Sequence, residues 1–383
     1  KGGGEELEEE LALRPTSEAI VMPIFKLWIH SHRDLPKKVY QVVSVFRYET
    51  KATHPMIRVR EVTTFKEAHT AHASLEDAER QVREAVEVYR RFFDELGIPY
   101  VVSRRPPWDK FAGAVYTISF DTLMPEGRTL QIGTVHNLGQ NFSKAFDVEF
   151  TKPDGSRDYV YTTSYGISER VIAALISIHG DDHGLVLPPK VAPIQAVVIP
   201  IPYKGREREV AEAARRVHEE LLESGVRARL DDRDDVTPGE KFYFWELKGV
   251  PVRVEVGPKD VEAGAATLCR RDSLERSRAG VGEVGDEVKR LLEDVERALR
   301  ERAWREFREG LLYASSLEEA RELIAARRGI VDLAWCGAEG CGLKMEEVGG
   351  RVLGTPLDGE RVEGRCVVCG GESSTWVRVA KAY

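Results

Sequence analysis

Val39-Tyr40-Gln41-Val42-Val43-Ser44-Val45-Phe46-Arg47-Tyr48-Glu49 is the stretch on which the fold turns. Its density of β-branched and aromatic residues predicts a strand that delivers Arg47 and Glu49, two residues apart, onto one face. The loop 50–55, with Lys51 and His54 at its tip, then turns the chain. Ile57-Arg58-Val59-Arg60-Glu61-Val62-Thr63-Thr64-Phe65 returns as a second strand, which gives an antiparallel pair. Arginines at both ends of such a pair can fork onto a polyphosphate. The same two side chains would equally suit a solvated face or cross-strand ion pairs.

Outward from this pair, Ser74-Leu75-Glu76-Asp77 has the form of a capping box. The spacing of Val82, Ala85, Val86, Tyr89, Phe92, Phe93 and Leu96 ahead of Gly97 predicts one amphipathic helix. Strands are expected at residues 100–103, 116–121 and 129–136, continuing a mainly antiparallel sheet. On the last of these, alternation puts Gln131, Gly133 and Val135 on one face and Ile132, Thr134 and His136 on the other, unless a bulge intervenes. Three prolines in Leu187-Pro188-Pro189-Lys190-Val191-Ala192-Pro193 mark a domain boundary. Beyond it, strand-like runs at 196–201, 228–230 and 252–256 alternate with a helix at about 207–224, the pattern of a small α/β domain.

The chain has 383 residues, 42% of them hydrophobic, which is enough for two or three domains with ample core. No apolar run approaches the roughly 20 residues needed to span a bilayer. The N-terminus lacks a charged-then-apolar signal segment and five cysteines fit a reducing compartment, so a cytoplasmic location is expected. A net charge of −8 argues against nonspecific polyanion binding and confines any RNA contact to local basic patches. The only asparagines are Asn137 and Asn141, beside Gln131 and Gln140 among five glutamines. Such scarcity suits growth at high temperature and points to a purpose for the amides that remain, whether in a site or in turns. Arg170 follows Thr162-Thr163-Ser164-Tyr165-Gly166 and Ser168-Glu169, and Val171, Ala174, Leu175 and Ile178 mark the apolar face of a helix. Arg170 therefore falls in a first turn, where free backbone donors and the helix dipole favour phosphate.

Phe46-Arg47-Tyr48-Glu49 with Arg58 resembles motif 2 of the class II aminoacyl-tRNA synthetases, and the stretch from Thr162 to Arg170 resembles motif 3. Leu13-Arg14-Pro15-Thr16-Ser17-Glu18, Glu67-Ala68-His69-Thr70-Ala71-His72 and Gln131-Ile132-Gly133-Thr134-Val135-His136-Asn137-Leu138-Gly139-Gln140 are similar, in the same order, to segments of the prolyl-tRNA synthetase family in its archaeal and eukaryotic form. The likeness runs to Tyr383 and covers essentially the whole chain.

This resemblance implies a multidomain α/β and α+β protein. Residues 1–190 would form a class II antiparallel-sheet catalytic domain, 194–300 an α/β anticodon-binding domain, and 301–383 a small zinc-binding α+β domain. Nothing in the chain resembles motif 1, so the N-terminal part of the catalytic domain is expected to lie outside these residues, and a homodimer rests on the resemblance alone. The implied reaction is ATP-dependent activation of L-proline and transfer to tRNA(Pro). Arg47 and Arg170 would be catalytic; Arg47, Glu49, Arg58, Gln131, Thr134, Ser168 and Arg170 would bind ATP with Mg²⁺. Thr16, Glu18, Arg47, Phe65, Glu67, His69 and His136 would bind proline. Arg253, Lys259, Arg270 and Arg271 are candidates to meet the anticodon, whereas Leu230-Asp231-Asp232-Arg233-Asp234-Asp235 is expected to be a charged loop without a binding role. The interval from Arg58 to Tyr165 leaves no room for the editing insertion of bacterial-type relatives, so no editing domain in cis is expected. The resemblance also places the terminal Tyr383 near the active site.

Cys336-Gly337-Ala338-Glu339-Gly340-Cys341 and Cys366-Val367-Val368-Cys369-Gly370 carry cysteine pairs spaced C-x4-C and C-x2-C. Four thiolates at such spacing suit a structural, tetrahedral Zn²⁺ with no open position; disulfide pairing is the alternative. Cys269 is expected to be a buried thiol outside that cluster. Two rival functions remain at this point: a synthetase-like tRNA-binding or regulatory protein without aminoacylation activity, and a class II synthetase for another small amino acid.

Overall fold

The computed structural model describes residues 10–50, 52–359, 362 and 364–383; Lys51 lies outside them. In chain order the elements begin with α1 (Glu18–Trp28), β1 (Lys37–Phe46), β2 (Glu61–His72), α2 (Leu75–Glu95), β3 (Val101–Arg104), β4 (Tyr116–Leu123) and β5 (Thr129–Gly139). They continue with α3 (Asn141–Ala145), β6 (Glu149–Thr151), β7 (Arg157–Tyr159), β8 (Tyr161–Ser168) and α4 (Arg170–His179). A second group comprises β9 (Ala196–Pro200), α5 (Glu207–Glu223), β10 (Ala228–Leu230), α6 (Pro238–Leu247), β11 (Val252–Val256), α7 (Pro258–Glu262), β12 (Ala265–Arg270), β13 (Arg276–Gly280) and α8 (Val284–Glu309). The last stretch holds β14 (Leu311–Ala314), α9 (Leu317–Ala325), β15 (Ile330–Trp335), α10 (Glu339–Glu346), β16 (Arg351–Pro356) and β17 (Thr375–Ala380).

These elements form two compact units, one of residues 1–91, 100–173 and 310–383, the other of 92–99 and 174–309. The first is built on a 10-stranded sheet in the order β1-β2-β8-β5-β4-β3-β16-β17-β15-β14. Its N-terminal part, from β1 to β3, is antiparallel throughout. β16 pairs with β3 at Thr355 and Pro356 and with β17 on its other edge, so the C-terminal strands extend the same sheet. Along α2, Ala78, Val82, Ala85, Val86 and Tyr89 are buried at the spacing the sequence predicts, and Ser74 Oγ caps the helix by accepting the Asp77 N–H at 3.2 Å. A separate core under the C-terminal strands joins Val331, Leu333, Trp335, Met345, Val352, Val377 and Val379.

The second unit is a five-stranded sheet, β10-β9-β11-β12-β13, parallel at β10, β9 and β11 and antiparallel beyond. α5 and α8 lay Val210, Val217, Leu221, Val284, Val288 and Leu291, all buried, against it. This is the α/β arrangement that alternating strands and helices dictate.

Two expectations need correction. The return strand β2 starts at Glu61, and Arg58 instead sits in a tight turn closed by His54 N–H to Arg58 O (2.8 Å) and Arg58 N–H to His54 O (2.9 Å). Pro55 and a left-handed Met56 (φ 58°) force that turn before the strand can begin. On β5, the register against β4 skips Ile132, since Phe120 faces Gly133 and Asp121 faces Gln131. The extra residue is a bulge, and it breaks simple alternation on this strand.

Candidate active site

Three neighbouring strands assemble the floor of a cavity of about 240 Å³. Across β2, β8 and β5 the register aligns Glu67 with Gly166 and Thr134, and His69 with Ser164 and His136. Gly166 leaves the space between Glu67 and Thr134 free of a side chain; a Cβ there would lie 3.2 Å from the Phe65 ring. Because of the bulge at Ile132, Gln131 joins Thr134 and His136 in lining the cavity.

Thr16, Glu18, Arg47, Phe65, Glu67, His69, Gln131, Thr134 and His136 all line this cavity. Glu18 and Glu67 are 4% and 3% exposed, so both carboxylates are effectively buried. Glu67 accepts from Thr16 Oγ1 (3.1 Å), Ser17 N–H (3.2 Å) and Gln41 Nε2 (3.1 Å). Glu18 accepts from Ser164 Oγ at 2.9 Å and shares the single Thr16 hydroxyl proton with Glu67. The Arg47 guanidinium bonds the Pro15 carbonyl and lies over the Phe65 ring, 5.8 Å from its centroid. Burial lowers the pKa of Arg47, while Glu67, Glu18 and Glu49 act to raise it. Two buried carboxylates and the Arg47 guanidinium thus face one cavity, which offers anions to an ammonium and a cation to a carboxylate.

The histidines are held neutral. Burial and the proximity of His69 push His136 down to about 4, and its Nδ1 lies 2.9 Å from Thr117 Oγ1. Burial likewise lowers His69, and neither of its ring nitrogens has a protein partner. A buried imidazole without a protein partner, lining an open cavity, can hydrogen-bond a polar group of a ligand.

A second cavity, of about 280 Å³, shares the walls Arg105, Gln131 and Arg351 with the first and adds Glu49, Arg58, Thr129, Arg170 and Tyr383. Arg47 and Glu49 therefore serve different cavities, because the chain turns sharply between them with Glu49 N–H bonded to Arg47 O at 3.0 Å. Arg170 opens α4, as its position in a first turn requires, and its Nε donates to Ile57 O at 2.8 Å. Burial lowers the pKa of Arg170, and repulsion from Arg47 and Arg58 adds to it. Cations that repel one another across an open space are arranged for an anion. Ser168 lines neither cavity and accepts the Arg170 N–H at 3.3 Å. Tyr383 N–H bonds Thr129 O (3.2 Å), and Arg128 sits 4.5 Å from the tyrosine ring centroid.

Family models match the chain in three blocks: tRNA synthetase class II core domain (G, H, P, S and T) over residues 4–179, anticodon binding domain over 195–291, and prolyl-tRNA synthetase C-terminal over 317–383. Proteins named proline–tRNA ligase from Ignicoccus hospitalis and Methanopyrus kandleri are 56% and 57% identical over all of this chain, which spans 81% and 79% of their lengths. The chain belongs to the prolyl-tRNA synthetase family. Among solved members, prolyl-tRNA synthetase from Cryptosporidium parvum, complexed with L-proline and AMP, superposes with a TM-score of 0.94 at 35% identity, covering 100% of this chain and 80% of that one. The Giardia lamblia prolyl-tRNA synthetase in complex with prolyl-adenylate gives 0.95 at 35%, covering 100% and 81%.

In this prolyl-tRNA synthetase family member the sequence motifs did not reveal Arg105, Asp109, Phe111, Asp121, Ser164 or Arg351. Asp121 holds Arg105 at 2.9 Å with both side chains buried, and Arg351 bonds Asp109. Alternation along β8 within its motif is the signal that could have found Ser164; the loop that carries Arg105 and Asp109 reads as a proline-rich turn, and Arg351 belongs to no motif.

In the second unit Arg253 is buried between Glu246 (2.5 Å) and Glu255 (2.9 Å) and lies over Phe242. Arg271 is buried with two nitrogens on Asp181, at 2.6 and 2.7 Å, and Arg270 pairs with Asp272. Lys259 is exposed. Asp231, expected in a plain charged loop, is buried and accepts from Arg233 and from Trp245 Nε1 (2.7 Å) beside an apolar cavity of about 480 Å³.

Cys336, Cys341, Cys366 and Cys369 bring their sulfurs within 4.8 Å of one another, so this cluster could hold a metal ion. All four are free thiols. Cys336 and Cys369 sulfurs are 3.8 Å apart, far beyond a disulfide and equal to the roughly 3.8 Å edge of a tetrahedron with 2.3 Å metal–sulfur bonds. Burial opposes ionisation of Cys366, but backbone hydrogen bonds outweigh it and bring the thiol to about 7. Gly370, with φ of 69°, turns the second knuckle. Cys269 is buried apart from the cluster. Among the described residues no helix is long and apolar enough to cross a membrane.

Proposed function

We propose that the chain activates L-proline with ATP to prolyl-adenylate and transfers the prolyl group to tRNA(Pro). The observation that carries this reading is the buried Glu18–Glu67 pair beside Arg47, in a cavity that shares its wall with the Arg58–Arg170 cavity. Proline's secondary ammonium meets the two carboxylates and its carboxylate faces Arg47. A carboxylate oxygen then attacks the ATP α-phosphorus in line, the bond to the β-phosphate oxygen breaks and pyrophosphate leaves. Arg47 neutralises the α-phosphate, Arg58 and Arg170 the outer phosphates, Glu49 accepts from the adenine amino group, and Gln131 and Thr134 bind the nucleotide. Ser168 acts through the N-terminus of α4. Mg²⁺ bound with the nucleotide would add charge neutralisation at the phosphates. In the second step a terminal ribose hydroxyl attacks the prolyl carbonyl, the ester forms and AMP leaves.

Zn²⁺ suits the four thiolates as a structural ion, since all four coordination positions come from protein. We further assign 1–190 to catalysis, 194–300 to anticodon binding, with Lys259 the best placed of the four candidate cations, and 301–383 to the zinc-binding part. A cytoplasmic homodimer that does not edit Ala-tRNA in cis completes the proposal. ATP–pyrophosphate exchange across the amino acids tests the core of it: exchange with proline well above all others is expected. Absence of exchange with every amino acid would favour a noncatalytic relative, and exchange led by a different amino acid would reassign the cavity.

A further inference from the structure

Residues 105–111 open the connection from β3 to β4 and are held from two sides. Trp108 packs into the C-terminal core, edge-on to Trp335 with ring centroids 6.2 Å apart and planes at 89°. Its ring fills the space beside Gly342, where a Cβ would overlap it. The next residue, Asp109, faces the first cavity and takes two bonds from Arg351, Nη2 to Oδ1 at 2.5 Å and Nε to Oδ2 at 3.1 Å. Arg351 is the first residue of β16, the strand that pairs the C-terminal segment to β3.

Two residues beyond Asp109, Phe111 lies against His136 with centroids 4.7 Å apart. Its N–H donates at 3.0 Å to Thr117 Oγ1, the same hydroxyl that contacts His136 Nδ1. One short loop therefore carries an anchor in the C-terminal core, an ion pair to a C-terminal strand and the aromatic wall of the amino-acid cavity. We propose that Arg351 is a positioning residue for the amino-acid substrate: through Asp109 it fixes the 105–111 loop, and with it the Phe111–His136 wall, in the geometry that accepts an imino-acid ring. The substrate named here rests on the proline assignment above.

The pair can be broken without collapse, because the Arg351 side chain is 48% exposed and Asp109 keeps Arg105 at 3.4 Å. Arg351→Ala, Arg351→Lys, Asp109→Asn and the Arg351→Ala/Asp109→Asn double variant of the whole chain are assayed by exchange at varied proline and varied ATP, with amide hydrogen exchange followed over 105–117. Asp109→Asn, which alters a residue lining only the first cavity, is expected to raise the KM for proline roughly tenfold and leave that for ATP within about twofold; Arg351→Ala, which alters a wall of both cavities, should raise the KM for proline at least as much. Amide exchange in the loop should speed up in both, and the double variant should be no worse for proline than the worse single change. Arg351→Lys, which keeps one charged donor, should recover part of the loss.

An unchanged KM for proline in either single variant, a rise for ATP in Asp109→Asn as large as that for proline, or additive single effects on the KM for proline would overturn the proposal. If the unaltered chain shows no proline-dependent exchange, the functional assignment fails on its own. The clamp is then decided by loop amide exchange alone, and unchanged protection in Arg351→Ala refutes it.

Discussion

Arg47 concentrates the chemistry at the scale of one residue. It is the cation that Glu67, Glu18 and Glu49 all act upon, and it lines the first cavity while repelling Arg170 across to the second. Arg47→Ala should lower proline-dependent pyrophosphate exchange roughly 10²-fold or more, by loss of a transition-state donor. His179 makes a separate prediction. Burial first, and Arg302 in addition, hold it down to about 4, while the bond from Nε2 to Leu96 O at 3.1 Å works the other way. The unfolded chain takes up this proton near 6.5 and the folded protein only near 4, so stability should fall as pH drops from about 6.5 to 4. His179→Gln keeps a donor for the carbonyl and should flatten that part of the stability–pH curve, by at most about 3 kcal/mol in denaturant titrations. The motifs made most individual pocket residues legible, because Thr16, Glu18, Glu67, His69 and His136 each sit in a recognisable word. Asp109 and Arg351 were not, since 242 positions separate them and neither has local meaning.

At the scale of elements, strands and helices were readable from periodicity, and the exceptions have local causes. Pro55 and Met56 delay β2 to Glu61, and the bulge at Ile132 turns Gln131 into the cavity face that simple alternation denied it. The two cysteine knuckles were legible from spacing alone, whereas their convergence depends on β15, α10 and the segment before β17 folding together. Cys369→Ser should reduce bound zinc below one equivalent and lower the melting midpoint by roughly 5 °C or more, checked by metal analysis and calorimetry. Full zinc occupancy with an unchanged midpoint would remove the ion from the structural role.

At the scale of the molecule, a net charge of −8 confines any RNA contact to local basic patches. Lys259→Ala should weaken tRNA binding and reduce the slope of log affinity against log salt by roughly one, measured by filter binding across a salt series. Pairing between β3 and β16 was invisible in the sequence, because no propensity reports a partner strand so far along the chain. That pairing bears on how the protein is made. The strands from β1 to β8 are complete at Ser168 and β16 begins at Arg351, so at roughly 5–20 residues per second a ribosome needs about 9–37 s to supply the missing neighbour of β3. Throughout that interval the nascent sheet presents a bare edge, open to other growing chains on the same message.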